Sequence, residues 1–127
     1  MRAEGKIAVL VLDDEVHIRK AVTDYLQDEG RFETWGAATA AEAFGILEQG
    51  RIDVCLVDLR LKGIDGFAFL EQAQPRHPTV RFLVQTGSYE ADVRERAGLL
   101  GIAEERILLK PFRLETLVRA IDRALEG

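Results

Sequence analysis

The sequence predicts an α/β fold, a five-stranded parallel sheet with helices on both faces, built from a strand–helix unit repeated five times. Two observations predict it. Short apolar or β-rich runs recur at Ile7 to Leu12, Phe32 to Trp35, Ile52 to Val57, Val80 to Val84 and Ile107 to Leu109. Segments with helical spacing separate them. The first, third and fourth runs are nearly continuous in apolar residues, as in strands covered on both faces, where neither face meets water. Parallel strands joined through helices imply right-handed crossovers.

The helical segments follow in order. Ile18, Val22, Tyr25 and Leu26 fall on one face of the first. In the second, Thr39 and Glu42 have capping-box spacing ahead of Ala43, Phe44 and Leu47. Phe67 and Leu70 mark a short third helix after Asp65-Gly66. Val93 and Ala97 mark a fourth, with Ser88 the expected N-cap. Leu114, Leu117, Val118, Ile121 and Leu125 give the fifth a strong apolar stripe, with Arg119 and Arg123 outside it.

At 127 residues, with no internal repeat or linker, positions 1–127 are read as a single domain. Hydrophobic residues at 47% and charged residues at 31% fit a soluble globular chain. A formal net charge of −5, with no basic arm or zinc-ligand pattern, argues against direct nucleic-acid binding. A lone cysteine, Cys55, lies inside an apolar run and is expected to be a small buried hydrophobe in a reducing compartment. Met1 to Lys6 resembles neither a signal peptide nor a membrane span, so a cytoplasmic location is expected.

In folds of this class ligands bind beyond the carboxyl ends of the strands. Those ends carry Asp13-Asp14-Glu15, Asp58, Thr86-Gly87-Ser88 and Lys110-Pro111. Each has an ordinary alternative: Asp14 as an N-cap, Asp58 as a turn former, Thr86 as a hydroxyl bonded to backbone, Lys110 as a solvated charge. Together they put three carboxylates, a hydroxyl and an ammonium on one sheet edge. Clustered carboxylates repel and need a counter-charge. A hard cation such as Mg²⁺, held by one or two carboxylates plus water and phosphate oxygens, supplies it. One carboxylate can then attack phosphorus to form an aspartyl phosphate, while an ammonium offsets the transferring charge.

These residues resemble the receiver family of bacterial two-component response regulators. The resemblance rests on Val9-Leu10-Val11-Leu12-Asp13-Asp14-Glu15, on Asp53 through Gly66, on Thr86-Gly87 and on Lys110-Pro111-Phe112, and spans Lys6 to Leu125. It implies a doubly wound, flavodoxin-like sheet in the order 2-1-3-4-5. It implies Asp58 as the phosphoacceptor, and Asp13, Asp14, Asp58 and the Arg60 backbone carbonyl as ligands of Mg²⁺. It further implies Thr86 as the hydroxyl that follows the phosphoryl group, Lys110 as the phosphate-pairing lysine, and a cis peptide before Pro111. Ile107 stands where the family usually has Tyr or Phe, so the usual coupling of the threonine to a rotating ring lacks its ring. Lys62 replaces a common proline, and Arg60 and Ser88 occupy variable positions beside the site.

The implied function is a signalling phosphoacceptor, not an enzyme acting on a separate substrate. It would be served by a histidine kinase or phosphotransfer protein in a phosphorelay, and read by a downstream effector protein or output domain. A homodimer through the fourth and fifth helices is a further option, with Arg94, Arg96, Arg119 and Arg123 available for pairing, though exposed charges are more often simply solvated. A phosphorylation-independent interaction module is the alternative, and the missing aromatic at Ile107 is its best support. A phosphatase of the haloacid dehalogenase type would need Asp-x-Asp after the first strand, where Asp13-Asp14-Glu15 stands. A flavodoxin would need a phosphate-binding Ser/Thr/Gly-rich loop there.

Overall fold

The computed structural model describes residues 5–61, 65–88 and 90–126. Lys62 and Gly63, singled out from the sequence, lie outside them. The elements alternate as expected: β1 (Ile7–Leu12), α1 (Val16–Glu29), β2 (Phe32–Ala37), α2 (Ala40–Leu47), β3 (Val54–Asp58), α3 (Gly66–Arg76), β4 (Arg81–Thr86), α4 (Ala91–Leu99), a 3₁₀ turn (Glu104–Arg106), β5 (Ile107–Leu109) and α5 (Leu114–Glu126). All strand pairs are parallel, and the sheet order is β2-β1-β3-β4-β5.

Alternation along each strand sorts the core into two halves. Val9 and Val11 of β1 pack with Val54 and Leu56 of β3 against Val22 and Leu26 of α1 and Leu117 and Ile121 of α5. Leu10, Leu12, Cys55 and Val57 point the other way, onto Ala43 and Leu47 of α2, Phe69 and Leu70 of α3, and Ala97 of α4. Both faces of the central strands are therefore dry, which is why their sequences run apolar without a break. Cys55 is fully buried, and desolvation pushes its thiol well above the ordinary range, so it is an inert core residue.

The helix starts follow local chemistry. Thr39 caps α2 by accepting from Glu42 N at 3.1 Å, and Glu42 reaches back to the amide of Ala38 at 2.7 Å. Asp65 caps α3 by accepting from Ala68 N at 2.8 Å, and that helix, expected to be short, runs 11 residues. The α4 expectation is corrected. Glu90, not Ser88, occupies its cap position, and Ser88 is drawn away by bonds to Thr86 and to Glu90 Oε1. Asp14 does not cap α1 either, since Glu15 holds that position without a side-chain bond.

Strand limits also differ. β2 runs on to Ala37 because Gly36 and Ala37 pair with Val11 and Leu12. β4 runs on to Thr86 because Gln85 and Thr86 pair with Leu108 and Leu109. β3 begins at Val54, while the Asp53 carboxylate accepts from Ala8 N at 2.8 Å. Among the described residues no helix is long and apolar enough to cross a membrane.

Candidate functional site

The carboxyl ends of β1, β3, β4 and β5 meet at one edge of the sheet. One carboxylate oxygen each from Asp13, Asp14 and Asp58 lies within 4.8 Å of the other two. Asp13 and Asp58 are buried and Asp14 is half-buried. Lys110 Nζ donates to Asp58 Oδ2 at 3.0 Å, and the Arg60 amide donates to Asp58 Oδ1 at 2.9 Å. Asp58 is only 3% exposed, so these partners offset much of the cost of burying its charge.

Asp13 is held on every side. Its amide donates to the carbonyl of Ala37 at 3.0 Å, and its own carbonyl accepts from Arg19 Nη1 at 2.8 Å. Its Oδ1 accepts from Glu15 N at 2.9 Å and its Oδ2 from Gln85 Nε2 at 3.0 Å. Burial raises the Asp13 carboxyl above its ordinary value, and the charges of Asp58 and Asp14 push the same way. The Glu15 amide and Lys110 oppose them.

Thr86 ends β4 with its hydroxyl donating to the Ser88 carbonyl at 3.0 Å and accepting from Ser88 N at 3.3 Å. The backbone amide of Lys110 donates to the Thr86 carbonyl at 2.8 Å, tying the two strand ends together. The Lys110–Pro111 peptide is cis. Ile107 begins β5 opposite Val84 and packs half-buried against the α2–α3–α4 side of the core. An apolar cavity of about 260 Å³, lined by Ile18, Val22, Phe112 and Leu114, opens beside Gln85 and Lys110.

The structure thus brings Asp13, Asp14, Asp58 and Lys110 into one neighbourhood and stands Thr86 and Ser88 at the adjoining strand end. Three residues there were not anticipated. Gln85 is fully buried beside Asp13. Arg19 reaches the Asp13 carbonyl, crossing Gly36 so closely that a Cβ there would stand 3.2 Å from its Cδ. Gly66 lies where a Cβ would come within 2.7 Å of the Asp58 carbonyl oxygen. Gln85 alone left a sequence signal, as a polar residue ending the apolar run Phe82-Leu83-Val84.

A donor set of carboxylate oxygens, with no sulfur or imidazole in the cluster, fits a hard divalent cation better than a transition metal. The raised Asp13 carboxyl has the same origin, negative charges crowded in a poorly solvated place.

Known proteins resemble this chain in sequence and fold. The chain is 26% identical over 117 residues to sporulation initiation phosphotransferase F of Bacillus subtilis, covering 92% of each protein. It is 30% identical over 124 residues to a putative NtrX-like response regulator of Rickettsia typhi, covering 96% of this chain but spanning 26% of that protein's length. Among solved structures, the chemotaxis protein CheY4 of Vibrio cholerae superposes with a TM-score of 0.85 at 28% identity, over 94% of this chain and 98% of that one. The family model described as the response regulator receiver domain matches residues 9–122, which takes in every strand end described above. By that match, and by a sheet order and strand-end chemistry that agree with it, the chain belongs to the response regulator receiver domain family.

Proposed function

We propose that residues 1–127 form one receiver domain whose Asp58 accepts a phosphoryl group from the phosphohistidine of a histidine kinase or phosphotransfer protein. The observation that carries this is Asp58 itself, buried at a strand end with Lys110 Nζ at 3.0 Å and the carboxylates of Asp13 and Asp14 beside it. Mg²⁺ bound by Asp13, Asp14, Asp58 and the Arg60 carbonyl would neutralise the carboxylate charge and polarise the phosphoryl oxygens.

An Asp58 oxygen attacks phosphorus as the P–N bond of the donor breaks and the imidazole leaves. Lys110 stays paired to the new acyl phosphate, offsetting the charge that collects on its oxygens. The Thr86 hydroxyl, which must give up the Ser88 carbonyl to turn inward, donates to one of them. The acyl phosphate carries about −1.5 to −2 in charge where the free carboxylate carried a single one. That draws β4 and β5 toward the site and shifts an existing equilibrium of the α4–β5–α5 face. Leu99 and Leu109 are exposed in this region and suit it to an effector protein or output domain. Water attacking the acyl phosphate resets the switch, so the protein carries a signal in the cytoplasm rather than turning over a substrate. Its formal net charge of −5 argues against direct binding to nucleic acid.

The test is incubation with Mg²⁺ and acetyl phosphate followed by intact mass measurement. Wild type is expected to gain one phosphoryl group and Asp58→Asn none. No gain in wild type, or equal gain in the variant, would overturn the proposal in favour of a phosphorylation-independent interaction module.

A further inference from the structure

We infer that Gln85 is a positioning residue for the acidic pocket: its buried side-chain amide pins the Asp13 carboxylate in the orientation that receives a hard divalent cation. This rests on the magnesium site proposed above and adds to it a residue outside the ligand set.

Gln85 is fully buried in β4, directly opposite Asp58 in the sheet register and one residue before Thr86. Its carbonyl accepts the amide of Leu59, the residue after Asp58, at 3.0 Å. Its backbone is therefore fixed to the Asp58 strand end while its side chain crosses to Asp13. A carboxylate only accepts hydrogen bonds, so the atom facing Asp13 Oδ2 at 3.0 Å is the amide nitrogen. With Glu15 N on Oδ1 at 2.9 Å, both oxygens of Asp13 are tethered and its carboxylate plane cannot turn. Each oxygen keeps a second lone pair, which a cation shared with Asp14 and Asp58 can use.

The other half of the amide is the second observation. Gln85 Oε1 is buried and has no hydrogen-bond partner among the described residues. A side chain present only to fill the core would be better apolar, as Phe82, Leu83 and Val84 are, because an unpaired buried acceptor costs stability. The amide thus burdens the fold, and its single side-chain bond goes to a carboxylate of the metal pocket. Groups that orient metal ligands in this way typically change metal affinity 10–100-fold.

Gln85→Met keeps the length of the side chain and removes the donor. Calorimetric titration of the whole chain with Mg²⁺, at one fixed pH, should show binding weakened by about tenfold or more. The metal-free thermal midpoint should stay close to that of wild type, because loss of the unpaired acceptor offsets loss of the bond to Asp13 Oδ2. A purely structural role would give the reverse, a lowered midpoint with Mg²⁺ affinity within about twofold of wild type, and that result overturns the inference. A measurement on wild type stands independently of any variant. The side-chain amide resonances of Gln85 should shift as Mg²⁺ saturates the site, and their failure to move also overturns it. If wild type itself shows no Mg²⁺ binding, the magnesium site and this inference fall together. If wild type binds and the variant binds as well, only this inference falls.

Discussion

A methyl group on Gly66 would stand 2.7 Å from both the Asp58 carbonyl oxygen and Leu59 Cα. Neither neighbour is the tip of a flexible side chain, so the backbone itself must move. Gly66→Ala is favoured by helix propensity by at most about 1 kcal/mol. Overpacking against rigid backbone costs about 1–3 kcal/mol, so the clash should win. The variant is expected to lose stability in urea denaturation and to phosphorylate more slowly with acetyl phosphate, because the same shift displaces the Asp58 strand end. Unchanged values for both would show that the loop yields freely. This scale also marks what the sequence could reveal. Asp13, Asp58 and Lys110 were legible because each is a charge that abruptly ends an apolar run. The closeness of Gly66 to Asp58 left no mark in the sequence, since the approach of α3 to β3 is a tertiary fact. Gln85 stood in plain view as a polar residue at the end of a core strand, yet its partner lies 72 residues away, and spacing carries no trace of that.

At the scale of elements, local rules succeed where the chemistry is local and fail where a neighbour decides. Thr39 and Glu42 are close in sequence and make their bonds within the same turn, so the start of α2 was readable. Thr39→Ala removes the acceptor for Glu42 N and should cost about 1 kcal/mol in chemical denaturation. The variant should still gain one phosphoryl group with acetyl phosphate, as the Asp58 side chain makes no bond to α2. The ends of β2 and β4 follow a different logic. Gly36, Gln85 and Thr86 fall beyond the runs read from the sequence, and they are strand because β1 and β5 supply partners for them. Ser88 reads as a cap, but its bonds to Thr86 hold it at the strand end while α4 begins later. Ile107 shows the same limit. It stands where the resemblance leads one to expect an aromatic, and the structure gives it a half-buried place against the core cluster, with no ring to swing.

For the molecule as a whole, the acidic pocket links folding, pH and metal binding. The Asp13 carboxyl is raised above its ordinary value of 3.8, first by burial and then by the charges of Asp58 and Asp14. A group with a raised folded value holds its proton more tightly in the native state than in the unfolded chain. Its favourable contribution is therefore complete below 3.8 and is lost as pH rises through the raised value. Without a divalent cation, the pocket should thus weaken the fold progressively as pH rises out of the ordinary carboxylate range. Mg²⁺ needs those same carboxylates deprotonated, so it competes with the proton and relieves the repulsion the proton would otherwise remove. At roughly 100 times its Kd the cation adds about 2.7 kcal/mol to native stability. The gain in thermal midpoint on adding a fixed concentration of Mg²⁺ should accordingly grow as pH rises out of the ordinary carboxylate range toward neutrality. Taking the difference with and without metal at each pH cancels the titration of carboxylates elsewhere on the surface. Asp13→Ala, which removes both the buried charge and a ligand, should flatten that difference across the same range. A wild-type Mg²⁺ effect that does not change from the ordinary carboxylate range up to neutrality would mean that the three carboxylates do not act as one site.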